Sequence, residues 1–216
     1  GYYFSRALNP QLRADVQHGG TVTALLELAM GEGVIDSAIV SSRSEDFEQC
    51  GLLVTDQIQL RRHSKSWFTV SPTLAAFNRI PDDRKKRTGV VATPCQAMAL
   101  AKMKTAEIPG NSGSDFPGLV IGLFCGWTLS MEKFHNLLAR YGITEADLTG
   151  MDIPAGKNIL ELFTAGGLLS VPMAEVDHCV RTACRYCMDS TAEFADLSVG
   201  AARFGTDCEE MRGWNQ

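Results

Sequence analysis

Three of the chain's seven cysteines lie within nine residues, at the start of the segment CVRTACRYCMDSTAEFADLSVG, which covers residues 179–200. Cys184 and Cys187 form a C-x2-C pair, and this spacing puts two thiolates on one tight turn where they can bind a metal ion or a cluster iron. A single pair of this kind is equally compatible with zinc, with an iron–sulfur cluster and with a redox dithiol. The other cysteines therefore decide which chemistry applies.

The composition limits the partners that the chain can have. Its 216 residues are 45% hydrophobic, which is enough to bury the core of one large domain or two small ones. The net charge of −5 at pH 7 gives no basic field for nucleic acid or an anionic membrane. We therefore expect no nucleic-acid partner. No basic cluster that could hold an anionic coenzyme is visible along the sequence either.

The sequence also indicates where the chain resides. No apolar run approaches the ~18 residues of a membrane-spanning helix, and the N-terminus lacks the basic and apolar regions of a secretory signal. An odd number of cysteines in a chain of this size does not predict a disulfide framework. We expect a cytoplasmic protein whose cysteines bind a metal or a cluster. Because it begins at Gly1 and ends in a strand-like GWNQ, we also expect a fragment cut at both ends.

Hydrophobic periodicity predicts alternating strands and helices. The predicted strands are Tyr2–Ala7, Val34–Ser41, Gly51–Val54, Ile58–Leu60, Thr88–Thr93 and Leu119–Phe124, with a hairpin of Asn158–Phe163 and Gly167–Val171. The predicted helices are Gly19–Met30, Thr73–Asn78, Gln96–Met103 and Ser130–Tyr141. The segment Asn9–Asp15 is predicted as a polar connection, and the mixed charge run at residues 82–87 as a solvated loop.

The helix at Gly19–Met30 begins with Gly-Gly-Thr, a start that leaves backbone N–H groups open to an anion or phosphate. A Gly-Gly before a helix is more often a simple turn. The G-x-G-x-x-G fingerprint of dinucleotide-binding domains is absent from this position, so a simple Rossmann NAD domain is not supported.

Two further cysteines each follow a predicted buried strand. Cys95 comes after Thr88–Thr93, and Cys125 comes directly after Leu119–Phe124. Because the carboxyl ends of parallel strands meet at one edge of a sheet, these positions suggest ligands converging on one site. The alternative is that both are buried cysteines acting as small hydrophobic side chains.

Two sets of ligands remain open on spacing alone. Cys179, Cys184 and Cys187 have the C-x4-C-x2-C spacing of plant-type 2Fe–2S loops, and Cys208 could be a fourth ligand. This set leaves the two cysteines at strand ends without a role. The competing set would bind a 4Fe–4S cluster or zinc and consists of Cys95, Cys125, Cys184 and Cys187.

Four sequence pieces, in the order GGTVTALL, ATPCQAMAL, IGLFCGW and CRYCMDSTAEFADLSVG, resemble the beta subunits of coenzyme F420 hydrogenases and dehydrogenases. This family includes the beta subunits of F420-dependent formate dehydrogenases and related flavin iron–sulfur reductases. The resemblance spans nearly the whole chain. It implies an α/β domain that binds FAD and carries a 4Fe–4S cluster next to the flavin.

The resemblance also implies roles for individual residues. As cluster ligands it gives Cys95, Cys125, Cys184 and Cys187. Near the flavin it gives Gly19, Gly20 and Thr21 at the helix start, and further along the chain Ser64, Ser71, Pro72 and Thr93. The last motif contains Asp189, Thr191, Glu193 and Asp196, which either contact the flavin or form a turn and helix cap around the cluster loop.

We therefore predict an α/β fold with a mixed, largely parallel sheet flanked by helices, a small antiparallel hairpin element and a C-terminal cluster-binding loop. Residues 1–150 would form the FAD-binding body, and residues 151–216 the hairpin and the iron–sulfur segment.

The predicted function is that of an oxidoreductase subunit containing FAD and a 4Fe–4S cluster. It would pass electrons between a soluble hydride carrier, such as an F420-like deazaflavin, and a partner hydrogenase, formate dehydrogenase or heterodisulfide-reductase-type subunit. No catalytic acid–base residue is required if the substrate is itself a hydride carrier. The alternatives are a non-catalytic interaction module with zinc on the same four cysteines, and a 2Fe–2S electron carrier.

Overall fold

The computed structural model describes residues 1–44, 47–105, 116–154, 156–202 and 213–216. Within these ranges the helices are α1 (Pro10–Asp15), α2 (Thr21–Gly31), α3 (Gln57–Arg62), α4 (Thr73–Phe77), α5 (Asp82–Lys85), α6 (Pro94–Thr105), α7 (Met131–Arg140) and α8 (Met173–Asp177). The strands are β1 (Ser37–Arg43), β2 (Gln49–Val54), β3 (Thr88–Ala92), β4 (Leu119–Leu123), β5 (Leu148–Asp152), β6 (Ile159–Thr164), β7 (Gly167–Pro172) and β8 (Leu197–Val199). No helix in the described part of the chain is both long and apolar enough to cross a membrane.

The larger sheet has five strands in the order β2-β1-β3-β4-β8. Strands β1, β3, β4 and β8 run parallel to one another, and β2 is antiparallel to β1 at one edge. All five residues of β3 are buried, because helices cover both faces of the sheet. Val90 packs with Phe77 and Leu100 on one face, whereas Val91 packs with Leu26 on the other. This is the predicted α/β fold with a mixed, largely parallel sheet.

The smaller sheet is antiparallel, with the strand order β5-β6-β7. It packs on α7 and α8 around a core that includes Leu137, Leu162 and Val176. The boundary predicted between residues 150 and 151 falls inside β5. Strand β8 lies after this boundary, yet it pairs with β4 in the larger sheet. The two predicted units are therefore interleaved along the chain.

Most predicted elements are confirmed to within three residues at their ends, including both strands of the hairpin. Strands β5 and β8 were not predicted. The predicted strand Ile58–Leu60 is wrong, since these residues lie in α3. Asp56 begins this helix by accepting the N–H of Gln59 at 2.8 Å on its carboxylate, and Leu60 is fully buried.

The N-terminal segment also differs from its prediction. Within the described residues, Ser5 is the one member of the predicted strand Tyr2–Ala7 that pairs, and it does so in an isolated bridge to Asn215. The predicted polar connection at residues 9–15 contains α1, because Asn9 accepts the N–H of Gln11 and Pro10 fits the first helical position. Likewise, residues 82–85 of the predicted charged loop form the short α5, whose Asp82 pairs with Lys85.

Candidate functional site

Cys95 lies in the first turn of α6, at the carboxyl end of β3. Thr93 precedes the helix, and its backbone N–H donates to Oε1 of Gln96 at 2.9 Å. This is half of a capping box, and Pro94 occupies the first helical position, where its missing N–H has no cost. The sequence TPCQ therefore starts the helix at Pro94 and fixes Cys95 beside Thr93, whose Oγ1 is 3.3 Å from the Cys95 sulfur.

Cys125 follows β4, and its backbone N–H donates to the carbonyl of Ser190 at 2.9 Å. This bond joins the end of β4 to the loop that comes after the C-x2-C pair. Residues 182–186 form a 3-10 turn, closed by a bond from the Cys187 N–H to the Cys184 carbonyl at 3.3 Å. The local fold therefore carries both cysteines of the pair to the end of β4.

The electrostatics of Cys125 show that the other three thiols are near it. Burial, together with the charges of Cys184, Cys95 and Cys187, raises the pKa of the Cys125 thiol to about 11. Hydrogen bonding with the Trp127 backbone lowers this pKa and partly offsets the rise. The Cys125 thiol therefore resists ionisation, whereas a bound metal deprotonates such a thiol outright. The structure thus brings the four predicted ligands together around Cys125.

The spacing of these side chains bears on the kind of metal group that they can hold. Within the described residues, no three His, Cys, Asp or Glu side chains lie close enough together to hold one metal ion. Tetrahedral zinc with 2.3 Å bonds would require sulfurs about 3.8 Å apart. A 4Fe–4S cluster bonds each thiolate to a different iron, so its ligand sulfurs are farther apart. The choice between a cluster and zinc on these four thiols therefore stays a prediction.

Thr128 was not identified from the sequence, yet it contacts the site directly. Its backbone N–H and its Oγ1 are both 3.4 Å from the sulfur of Cys184. Hydrogen bonds to a ligand sulfur stabilise the more negative, reduced state of a cluster. The only sequence signal for this role is that Thr128 lies three residues after Cys125.

Cys179, a ligand in the alternative 2Fe–2S set, is engaged elsewhere. It is buried in the core under the smaller sheet, and its thiol donates to the carbonyl of Lys133 in α7 at 3.4 Å. Burial raises the pKa of this thiol. Cys208, the fourth member of that set, lies outside the described residues. The observed position of Cys179 therefore does not favour the 2Fe–2S alternative.

Asp189 organises the loop of the last motif. Its side chain is 8% exposed, and its Oδ1 accepts the N–H groups of Thr191 at 2.8 Å and Ala192 at 2.9 Å. Its Oδ2 accepts the N–H of Glu193 at 3.2 Å. The side chains of Thr191 and Glu193 are exposed. Asp189 thus forms the turn that the sequence offered as one possibility, but the predicted helix cap is wrong, because the residues from 190 to 196 form no helix. The flavin contacts of Asp189, Thr191 and Glu193 remain predictions.

Replacing Asp189 with alanine should lower the free energy of unfolding of the metal-free protein by about 1–2 kcal/mol, because hydrogen bonds from backbone N–H groups to its carboxylate are lost. Asparagine keeps the Oδ1 acceptor, so Asp189→Asn should lose less than half of that. Chemical denaturation of the two variants and the wild type checks this. Equal stability of wild type and Asp189→Ala would show that these hydrogen bonds do not hold the loop.

Gly122 of β4 allows this loop to lie across the sheet. A Cβ at Gly122 would overlap the Cβ of Ala192 and would lie 2.9 Å from that of Ala195. Beyond this crossing, Asp196 accepts the N–H of Val120 at 2.7 Å on its carboxylate. The small side chains at this crossing, glycine in the strand and alanine in the loop, therefore let the loop that follows Cys187 lie directly on β4.

Gln96 links two of the residues that are predicted near the flavin, Ser71 and Thr93. Its Nε2 donates to the carbonyl of Ser71 at 2.7 Å, and its Oε1 accepts from both the N–H and the hydroxyl of Thr93. Pro72 follows Ser71 directly and is exposed at the start of α4. Gln96 was not identified from the sequence, although the T-P-x-Q capping pattern could have shown it. These residues lie beside Cys95, at the same edge of the sheet.

Ser64 has a different local role. Its hydroxyl donates to the carbonyl of Arg61 at 2.7 Å, which closes the end of α3. Two residues later, the N–H of Ser66 donates to Oε1 of Gln17 at 2.9 Å. This segment is therefore adjacent to the turn that contains Gly19.

The Gly-Gly-Thr turn contacts the C-terminal segment of the chain itself. The N–H of Thr21, at the start of α2, donates to Oδ1 of Asn215 at 3.3 Å. A Cβ at Gly19 would lie 2.6 Å from this oxygen and 2.8 Å from the carbonyl of Gly213. Gly20 has a φ of 72°, which favours glycine. A phosphate contact to the Thr21 N–H would compete with Asn215, and the flavin contacts of all three turn residues remain predictions.

Comparison with solved structures agrees with this fold. A chain in the F420-reducing [NiFe] hydrogenase complex from Methanosarcina barkeri superposes with a TM-score of 0.84 over 98% of this chain and 72% of that one. The two sequences are 20% identical, so this likeness concerns the fold.

Similar sequences occur in methanogenic archaea. The chain is 26% identical over 202 residues to the beta subunit of the coenzyme F420 hydrogenase of Methanothermobacter thermautotrophicus, covering 91% of this chain and 70% of that protein. It is 30% identical to one of the subunits of the F(420)H(2) dehydrogenase of Methanosarcina mazei, covering 87% of this chain and 53% of that protein. It is 29% identical to a coenzyme F420-dependent sulfite reductase of Methanocaldococcus jannaschii, covering 92% of this chain and 32% of that protein.

Two family models together cover most of the chain. Residues 2–78 match the N-terminal model of the coenzyme F420 hydrogenase/dehydrogenase beta subunit, and residues 85–216 match its C-terminal model. The second match alone includes all four clustered cysteines, and more than half of the chain. The chain belongs to the coenzyme F420 hydrogenase/dehydrogenase beta subunit family.

Proposed function

We propose that this chain is an oxidoreductase subunit that holds FAD and a 4Fe–4S cluster and passes electrons between a soluble hydride carrier and a partner enzyme. The observation that carries the proposal is the gathering of four thiols, from three separate parts of the chain, around Cys125. Membership of the family supports the coarser statement that it is an electron-transfer subunit of an F420-dependent oxidoreductase.

The cluster would be held by Cys95, Cys125, Cys184 and Cys187. When bound, FAD supplies hydride acceptance and the cluster supplies one-electron transfer. Cys125 is partly buried whereas Cys95 and Cys187 are exposed, so Cys125 lies on the side of the site that is less open to water. Thr128 would donate two hydrogen bonds to the Cys184 sulfur and so favour the reduced state there.

The turn at Ser71 and Pro72 is the part of the structure that we assign to the flavin side of the site. Gln96 ties this turn to Thr93, and Thr93 in turn contacts the Cys95 sulfur. A flavin ring held at this turn would therefore lie beside a cluster ligand. Such proximity is what electron transfer between the two groups requires.

The surface around the C-x2-C loop supports a partner subunit. Tyr186 and Met188, on either side of Cys187, are 81% and 95% exposed, and Phe194 is half exposed. Exposed apolar side chains that lie together commonly mark a protein–protein contact. We assign this face to the hydrogenase-, dehydrogenase- or reductase-type partner that would exchange electrons with the cluster.

Anaerobic reduction of the flavin-loaded protein tests this function. A reduced deazaflavin or another hydride donor should bleach the flavin absorbance, and an added one-electron dye should then be reduced in turn. The Cys125→Ala variant should still show flavin bleaching but should reduce the dye much more slowly, because the one-electron acceptor is lost. If no hydride donor bleaches the flavin, or if the variant reduces the dye as fast as the wild type, the proposed route is wrong.

A further inference from the structure

A basic cavity lies at the carboxyl end of β1, away from the four thiols. Its volume is about 120 Å³. The lining residues are Ser41, Ser42, Arg43, Arg62, His63, Lys65 and Trp67. Three of them are cationic and none is acidic, although the chain as a whole carries a charge of −5. This basic cluster is not visible along the sequence, because it forms only when folding brings together cations from β1 and from the segment after α3.

The cationic side chains of this cavity are not neutralised by ion pairs within the described residues. Arg43 donates to the carbonyls of Leu148 at 3.2 Å and Glu145 at 2.6 Å, and Lys65 donates to the carbonyl of Thr149 at 3.0 Å. In the described part of the chain, no carboxylate lies within ion-pair distance of Arg43, Arg62 or Lys65. Carbonyl groups orient Arg43 and Lys65 without neutralising them.

The neighbouring acidic groups are engaged with other side chains. Glu27 pairs with Arg61 at 2.6 Å. Glu145 acts on Arg43 through its charge, but its carboxylate is 3.0 Å from His135. A ligand in the cavity would therefore meet a positive field that the protein itself does not cancel.

Two features make the cavity rigid. The guanidinium of Arg43 lies 4.2 Å from the centre of the Trp67 ring, a stacking arrangement that fixes its plane. Nδ1 of His63 is 2.8 Å from the hydroxyl of the buried Ser42. Burial, and then the charge of Arg62, lower the pKa of His63, so the ring is neutral at pH 7 and adds no charge of its own. The donors are therefore preorganised around fixed positions.

The position and size of the cavity indicate which part of a ligand it takes. β1 and β4 are separated by β3, so the end of β1 and the end of β4 are about 10 Å apart along the same edge of the sheet. Sites for whole organic ligands usually enclose about 300–1,000 Å³. A cavity of about 120 Å³ holds only one end of such a ligand. The remainder would extend along the edge toward the thiols.

We propose that this cavity binds the phosphate group of an organic ligand whose ring system extends toward the four cysteines. The proposal rests on the proposed function, since it names the anchor for a redox ligand of the same site. Guanidinium and ammonium groups are the side chains that bind phosphate most strongly in proteins. The phosphate can belong to bound FAD or to a phosphorylated hydride carrier, and the experiment separates these two sources.

The test compares the full-length wild type with Arg62→Gln and Lys65→Gln. FAD and riboflavin, which has no phosphate, are titrated by fluorescence, and inorganic pyrophosphate is added as a competitor. If FAD is the source, each variant should bind FAD about tenfold more weakly, bind riboflavin as the wild type does, and lose competition by pyrophosphate. Arg79→Gln and Lys86→Gln remove exposed cations elsewhere and should behave as the wild type.

The other outcomes are also decisive. If FAD affinity is unchanged but the half-saturating concentration of a phosphorylated hydride carrier rises about tenfold in both variants, the carrier is the source. If neither ligand is affected and pyrophosphate competes with neither, the cavity is not a phosphate site. If the wild type binds no flavin and accepts no hydride, the proposed function fails. In that case, calorimetric titration of pyrophosphate into the wild type and into Arg62→Gln shows separately whether the cavity binds phosphate. Weaker binding by Arg62→Gln supports the cavity as a phosphate site, and equal binding or no binding contradicts it.

Discussion

The Cys125→Ala variant should contain almost no iron after anaerobic reconstitution with iron and sulfide, whereas the wild type should contain about four irons per chain. Cys125 is the thiol on which the charges of Cys95, Cys184 and Cys187 all act, so it is central to the arrangement. Three thiolates cannot complete the ligation of a cubane, and alanine offers no replacement. Iron and sulfide analysis, with the visible absorbance of the same sample, measures the effect.

Two control variants distinguish this site from the alternatives. Cys50→Ala changes a cysteine in the outer strand β2, which β1 and β3 separate from β4, and should keep the wild-type iron content. Cys179→Ala should also keep it, because that thiol donates to Lys133 in the core. Loss of iron in Cys179→Ala together with retention in Cys125→Ala would show that Cys179, and not Cys125, is a cluster ligand. This result would favour the 2Fe–2S set.

The Gly122→Val variant should be less stable than the wild type by about 1–3 kcal/mol or more, the cost of overpacking. The added side chain would overlap Ala192 and press on Ala195, so the loop could no longer lie on β4. Valine itself favours a strand, so β4 should not be weakened by propensity. Because this loop leads from Cys187, iron content should fall along with stability. Denaturant unfolding and iron analysis measure the two effects.

Gly126→Ala provides the matched control, because a Cβ at Gly126 meets no atom within 4 Å. It lies next to Cys125 in sequence, yet it should leave stability and iron content unchanged. A Gly122→Val protein with wild-type stability and full iron content would show that the loop does not cross the sheet at this point.

The sequence predicted those features that depend on local pattern. Strands β3 and β4 are short apolar runs, and each is followed by a cysteine, so the convergence of Cys95 and Cys125 at one sheet edge could be expected from topology. The helix after Cys95 could be expected from its apolar residues, and its start from Thr93 and Pro94. Family resemblance, rather than spacing, selected the ligand set.

The sequence could not predict features that depend on contacts between distant segments. The cations of the cavity come from β1 and from the residues after α3, which are separate in the sequence and meet only in the fold. The contact of Asn215 with Thr21 joins the two ends of the chain. For the short segment at residues 58–60, the capping carboxylate of Asp56 outweighed the apolar pattern that suggested a strand.

An anaerobic ultraviolet–visible spectrum of the wild-type protein, with iron, sulfide, flavin and zinc analysis of the same sample, tests whether the chain holds FAD beside a 4Fe–4S cluster. We expect flavin absorbance on a broad iron–sulfur shoulder, with about four irons, four sulfides and one FAD per chain. A colourless protein with about one zinc per chain and no flavin would contradict this expectation and would identify a zinc-stabilised interaction module instead.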